Sequence, residues 1–383
     1  MITQVRSFNR PVKLLLVNQL TINVGFYMLM PYLANHLSGD LGLAAWLVGL
    51  ILGVRNLSQQ GLFLLGGSLA DRLGFKPMIL AGLVLRTAGF ALLGVADAVP
   101  VLLAASALTG LAGALFNPAA RAYLAHEAGE RKVEAFAAFN VFYQCGILVG
   151  PLVGLVLNGY AFRVTCLVAA ALFAVLALAQ ARALPALAPE PAERSMLADW
   201  RHVVSDRPFL LFSLAMIGSY VLNFQVYLGL PIEVRRLTGD ELGVTLLFAL
   251  SGLIAMTCQV RITTWVRERW DARRAMTRGL LLLGAAFVPV AAWPSLASVL
   301  VTTALLTVAT LLVYPHEMAT IAALGGDRMV GTYYGFYSTL SGLGIAAGNL
   351  LTGYALDWRG SWWVLVAVGL ACAAAVSRVL RTP

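Results

Sequence analysis

The chain has 383 residues, 60% of them hydrophobic and only 12% charged, with a mean hydropathy of +0.82. This excludes an ordinary water-soluble globular domain, in which about half of the residues are apolar and about a quarter charged. The net charge of +9, from 27 Lys+Arg against 18 Asp+Glu, does not by itself indicate nucleic acid, because basic residues gathered in the loops on one side of a membrane give the same excess.

From the N-terminus, MITQVRSFNRPVK leads into an apolar run from Leu14 past Leu33. That run is too long for the core of a signal peptide and lacks a small-residue cleavage site, so it is expected to be a retained first span. Further runs predict membrane helices over 12–37, 43–70, 77–97, 99–126, 132–160, 162–184, 208–236, 242–265, 275–293, 296–322, 329–356 and 361–380. The expected fold is therefore an all-α polytopic membrane protein of twelve transmembrane helices. Arg6, Arg10, Lys13, Arg72, Lys76, Arg131, Lys132, Arg267, Arg269, Arg273, Arg274, Arg328, Arg378 and Arg381 then fall on one side. The opposite loops hold mainly Arg163, Arg235, Arg236 and Arg359. The positive-inside rule makes the richer side, and both termini, cytoplasmic.

One long polar stretch interrupts the runs, PALAPEPAERSMLADWRHVVSDRP, giving six-helix bundles over 1–184 and 208–383 with a cytoplasmic linker over 185–207. Its amphipathic part, Met196 to Val204, reads as an ordinary solvated linker or as an interfacial helix with Trp200 and Val204 at the lipid surface. The two bundles look duplicated. At an offset of about 200, Asn23, Tyr27, Pro31 and Gly39-Asp40 meet Asn223, Tyr227, Pro231 and Gly239-Asp240. Three residues fewer pair Pro118 with Pro315 and Arg131 with Arg328, and set Asp71-Arg72 opposite Glu268-Arg269. Parallel repeats with a site near mid-membrane are a transporter architecture.

Two motifs carry a more specific resemblance. GSLADRLGFKP, between the second and third spans, resembles the loop signature of the major facilitator superfamily, with Phe75 departing from the pattern. GILVGPLVG on the fifth span resembles the glycine-proline motif of proton-exchanging exporters in that superfamily, with Leu155 in place of the last glycine. The chain is similar to bacterial twelve-helix drug:proton antiporters, also in GVRNLSQQG on the second span and FNPAARA on the fourth. The resemblance implies a multi-pass exporter of lipophilic or amphipathic molecules in the bacterial inner membrane, working by alternating access. It implies a gating loop of Gly67, Asp71, Arg72, Gly74 and Lys76 that latches the two halves. Glu127 is the expected partner of Arg72. It also makes Gly146, Gly150, Pro151 and Gly154 the antiporter-type motif, a small-residue stripe for close helix approach with a proline kink. Ser106 stands where many relatives carry an arginine linked to proton transfer, and Asn18 where related exporters often have an acid.

Charges inside spans are expensive, about 2.5–3.5 kcal/mol each on insertion scales, and so mark function. Arg55 and Gln59 share a face of the second span and are expected at the substrate cavity, together with Asn23, Tyr27, Phe139, Tyr143, Asn223 and Tyr227. Arg86, on the third span, is either satisfied between packed helices or involved in coupling. No Asp or Glu lies at the centre of a span. Glu317 beside His316 is the expected proton carrier, unless it only neutralises Arg121; Glu233 comes next, unless it pairs with Arg235 or Arg236.

The expected partners are a small-molecule substrate, protons and the lipid bilayer, with no nucleic acid, and the chain is expected to act as a monomer. A narrower carrier of an anionic metabolite or siderophore-like product is the alternative, since Arg55 without a central acid suits an anion. Enzyme chemistry is not expected, because the four His are scattered and no catalytic cluster appears. The four cysteines lie in apolar runs without metal-ligand spacing, and no nucleotide-binding loop is present, so neither metal nor cofactor is expected.

Overall fold

Asn9-Arg10-Pro11 and Asp206-Arg207-Pro208 open two helices in the same way. Asn9 accepts a hydrogen bond from the Val12 amide at 3.1 Å, and Asp206 accepts one from Phe209 at 3.2 Å. Each side chain caps a free first-turn donor, and each proline sits where a missing N–H is harmless. In the computed structural model these helices are α1 (Arg10–Tyr27) and α10 (Arg207–Phe224). The structure describes residues 5–187, 195–238, 242–326, 329–355 and 360–380. Gly239-Asp240, Arg328, Arg359, Arg381 and most of the linker's proline-rich start lie outside the described residues.

The chain is helical throughout, with no strand among the described residues. After α1 come α2 (Met30–Asn35), α3 (Ala45–Gly61), α4 (Phe63–Leu73), α5 (Phe75–Val95), α6 (Val99–Ala128), α7 (Lys132–Asn158) and α8 (Phe162–Ala183). A short α9 (Met196–Ser205) follows in the linker. The second half holds α10, α11 (Gly229–Thr238), α12 (Leu242–Arg269), α13 (Ala272–Ala285), α14 (Val288–Ala292), α15 (Leu296–Gly325), α16 (Val330–Ala355) and α17 (Ser361–Val379). Eight stretches of the described chain are long and apolar enough by themselves to cross a membrane. The first two expected spans are broken instead, at Met28-Leu29 ahead of Pro31 and at Leu62.

The duplication is visible in the helix ends. α6 and α15 are both 30 residues long, and Val99–Ala128 and Leu296–Gly325 are related by 197 at either end. The same shift relates both ends of α1 to those of α10. Within those helices Asn23 therefore stands opposite Tyr220, and Tyr27 opposite Phe224, not opposite Asn223 and Tyr227 as the sequence pairing at 200 suggests. Extra residues in the second copy's break explain the slip: Gln225–Leu228 separates α10 from α11, whereas only Met28-Leu29 separates α1 from α2. Pro31 and Pro231 remain counterparts just past those breaks.

Two compact units divide the chain. The first comprises Met1–Glu130, Phe142–Arg201 and Gly325–Thr339; the second comprises Arg131–Val141, His202–Leu324 and Leu340–Pro383. In the first, α5 packs against α6 and α8, α3 and α4 against α6, and α1 against α8. In the second, α17 packs against α13 and α10, the repeat counterparts of α8 with α5 and α1. Thus α7 and α16 each begin in one unit and end in the other.

Candidate functional site

α4 ends at Gly74, whose φ of 94° lies in a region open to glycine but strained for other residues. The turn starts α5 at once and leaves Asp71 on the last turn of α4. Asp71 accepts the Gly331 amide at 2.7 Å, and the Thr332 amide and hydroxyl at 2.6 Å each. Those amides belong to the first turn of α16, where N–H groups lack helical acceptors and the dipole favours negative charge. Glycine on both helices allows the approach, because a Cβ on Gly67 would meet the Gly331 carbonyl. Burial pushes the Asp71 carboxyl up to about 7, against the downward pull of the hydrogen bonds from Thr332 and Gly331.

Arg72 reaches Asp199 of α9 at 2.5 Å, while Glu127, the partner expected from the sequence, accepts the Asn9 amide at 2.8 Å. Trp200 is turned toward the protein, not the lipid: its indole N–H donates to Ser68 Oγ at 2.7 Å, one turn before Asp71 and Arg72. α9 is therefore a strap on the loop, and its own Val203 is fully buried. Lys76 forms no hydrogen bond or ion pair among the described residues.

The second unit holds the counterpart of this contact with charge and partner exchanged. Glu134, 6% exposed in the first turn of α7, pairs with Arg131 and with Arg267 from the last turn of α12. A shift of 197 carries Glu134 onto Gly331, and Asp71 onto Glu268 beside Arg267. In one copy a loop carboxylate caps a helix amide. In the other a loop guanidinium meets a helix carboxylate. Close by in the sequence, Asn140 donates to Gln259 at 2.7 Å, and Gln259 donates to Thr263 and to the Leu311 carbonyl. Neither Glu134 nor this amide network stands out from the sequence, in which Arg131 and Arg267 read only as two of the basic residues on one side.

In the first unit, the glycine-proline motif packs α7 on α1. A Cβ on Gly146 would strike Asn23, one on Gly150 would lie 2.7 Å from Tyr27, and one on Gly154 would strike the Met28 carbonyl. Asn23 is buried at this crossing and donates to the Gln19 carbonyl at 2.7 Å. Tyr32 donates to the Pro151 carbonyl at 2.8 Å. Tyr27 and Tyr143 meet hydroxyl to hydroxyl at 3.4 Å. Arg55 donates to Gln59 at 3.0 Å and to Asn56 at 2.9 Å, and its guanidinium lies 4.4 Å from the Phe26 ring centre.

In the second unit, Glu317 is 3% exposed and accepts the Tyr220 hydroxyl at 2.8 Å. Both line a small cavity of about 40 Å³ with Ser219, Asn223, Thr310 and Tyr314, room for a few water molecules. Asn223 accepts from Thr310 at 3.2 Å. His316 is buried with its Nδ1 3.0 Å from the Leu312 carbonyl. Tyr227 is 46% exposed and packs between Phe224 and Phe248. Phe139 and Glu233 are buried, Glu233 without an ion pair to Arg235 or Arg236 among the described residues. Among the described residues no group of His, Cys, Asp and Glu is arranged to hold a metal.

A family profile described as the Major Facilitator Superfamily matches residues 15–348. An uncharacterized MFS-type transporter of Mycobacterium tuberculosis is 50% identical over 394 residues, covering 98% of this chain and 94% of that protein. Multidrug resistance protein MdtH of Yersinia pestis is 32% identical over 369 residues, covering 95% and 88%. Among solved structures, the major facilitator transporter FucP in its outward conformation has a TM-score of 0.80 at 15% identity, covering 97% of this chain and 98% of that one. The human organic anion transporter MFSD10 has a TM-score of 0.69 at 19% identity, covering 97% of each chain. At such identities these two show a shared fold.

Proposed function

Because the chain belongs to the major facilitator superfamily and is a multi-pass membrane transporter, we propose that it exports lipophilic or amphipathic small molecules in exchange for protons. The observation that carries the exchange is Glu317, a carboxyl buried among membrane helices, held by Tyr220 beside a cavity large enough for water. Such a group takes up and releases a proton only as its access to water changes, which is what coupling to alternating access needs. The likeness to a multidrug resistance protein and the aromatic surroundings of Tyr27, Tyr143 and Tyr227 support an amphipathic substrate.

Within this reading Asp71, Arg72 and the α9 strap form a latch on the cytoplasmic side of a bacterial inner membrane, with both termini on that side. One charge at a helix end is worth about 0.3–1 kcal/mol, rising to about 2 kcal/mol when partly buried. A contact of that size biases a conformational equilibrium without locking it. Purified protein in liposomes, assayed for dye transport with and without an imposed pH gradient, tests the reading: transport that ignores the gradient defeats it. A narrower carrier of anions is the second reading, favoured by Arg55.

A further inference from the structure

Arg86 is 6% exposed in the middle of α5 and makes no hydrogen bond or ion pair among the described residues. Its Nε is buried without a partner, and so is that of Arg55. The expected satisfaction by carbonyls or amides is not found at Arg86, which faces ring surfaces instead: its guanidinium carbon lies 5.5 Å from the Phe116 ring centre and 6.0 Å from that of Phe173. The rings join the two sites, since Phe26 neighbours Phe90 at 6.5 Å and Phe90 neighbours Phe173 at 5.0 Å.

Two guanidinium groups thus share one apolar, aromatic neighbourhood in the first unit, with no carboxylate paired to either among the described residues. Both are always protonated in water, and burying either charge is unfavourable unless something negative arrives to pair with it. Cation–π contact returns only part of what hydration provides. The packing of α3 on α6 fixes the backbone at Arg55 and the side chain of Gln59 that accepts from it, because a Cβ on Gly110 would strike the Arg55 carbonyl and one on Gly113 would press on Gln59. Asn56 and Gln59 accept from the Arg55 terminal nitrogens and leave Nε over. Arg55 is the more exposed of the two, so an entering anion would meet it first and Arg86 beyond it.

We propose that Arg55 and Arg86, with the rings of Phe26, Phe116 and Phe173, form a recognition subsite for an organic anion with a flat aromatic body. The negative group pairs with the guanidinium groups and the apolar body lies against the rings. This deepens the export reading by naming the charge of its substrate, and it rests on that reading.

The test uses the purified full-length chain in an uncharged detergent and three probes sharing one body: 2-naphthoate, 2-naphthamide and 2-naphthylmethylammonium. Calorimetric titration should show the carboxylate binding at least tenfold more tightly than the amide, with the ammonium weakest. Arg86→Met and Arg55→Gln should each abolish that order, and Arg86→Lys should retain part of it. Without any probe, Arg86→Met should melt several degrees above the parent, because an uncompensated buried charge has been removed. Equal affinity for carboxylate and amide, or a preference for the ammonium, would overturn the subsite. So would an Arg86→Met protein that melts lower and keeps the order. The two readings separate in liposomes. Charge-ordered binding without pH-driven transport supports the subsite and defeats the export reading, whereas pH-driven dye transport undiminished by Arg86→Met, without naphthoate binding, does the reverse.

Discussion

Asp71 holds Thr332 twice, by the backbone amide and by the hydroxyl, each at 2.6 Å, across 261 residues of sequence. The three hydrogen bonds that Asp71 accepts from the first turn of a helix it does not belong to favour one arrangement of the chain over others by a modest amount. Asp71→Asn removes the charge and keeps the shape. We expect liposome transport to fall about tenfold or more while the melting temperature changes by no more than a few degrees, since the contact is a small part of total stability. Loss of folding or of substrate binding by this variant would place Asp71 elsewhere in the mechanism.

The same carboxyl gives the latch a pH dependence of definite sign. Buried against α16 it titrates near 7; released into water it returns to about 3.9. The latched form therefore holds the proton more tightly, and closure is favoured as pH falls through the window from about 7 to about 4. Closure weakens as pH rises through that window and is flat above it. Fluorophores at the exposed Leu73 and Ala323, on a background without the native cysteines, should report this change, and Asp71→Asn should flatten it. An equilibrium that shifts the other way would contradict the burial of this group.

The α9 strap yields a graded prediction. Trp200→Phe keeps the ring and loses only the bond to Ser68, so a few-fold fall in transport is expected. Asp199→Ala leaves Arg72 without this carboxylate and should cost more. A strap that merely links the bundles would show neither effect, and unchanged initial rates in both variants would establish that.

Glu317→Gln tests coupling. Glutamine still accepts from Tyr220 but cannot titrate, so pH-driven transport should vanish while equilibrium binding of substrate persists and loses its pH dependence. Should Glu317 only neutralise Arg121, the variant would instead be destabilised, and Arg121→Gln would partly rescue its melting temperature. Full pH-driven transport by a stable Glu317→Gln protein would remove Glu317 from the proton path.

Close packing of α7 on α1 predicts that Gly150→Val is destabilising by about 1–3 kcal/mol, the usual range for overpacking, because even a Cβ there would lie 2.7 Å from Tyr27. Thermal melting of the purified variant reads this directly.

The sequence shows on its face what local chemistry writes into it. Apolar runs marked the helices, the ADR of the loop marked the turn whose Asp71 accepts from α16, and Pro31 with Pro231 marked two helix breaks. The repeat was legible but its register was not, because the Asn and Tyr matches around the breaks and the Pro match just past them favour a shift of 200, whereas the capping triplets Asn9-Arg10-Pro11 and Asp206-Arg207-Pro208 fix 197 from the other end. Long-range pairings left no local trace: Glu134 looks like one more charge at a helix start until Arg267 is beside it. The partner of Arg72 was misplaced for the same reason, since Asp199 lies in a polar linker, on a helix held by the bond of Trp200 to Ser68 and by the burial of Val203. Arg86 was visible as a charge in a greasy helix, but that no carboxylate pairs with it among the described residues is a property of its surroundings.

Because α7 and α16 each begin in one unit and end in the other, the order in which the ribosome delivers the chain matters. Residues 1–130 and 142–201 emerge first, yet their unit is finished only when Gly325–Thr339 arrives, so Asp71 waits for its amides until most of the second half exists. Glu134 is likewise synthesised long before Arg267. A half-length translation product therefore holds Asp71 without the amides it accepts from and Glu134 with Arg131 but without Arg267, so neither contact is complete until the second half has been made.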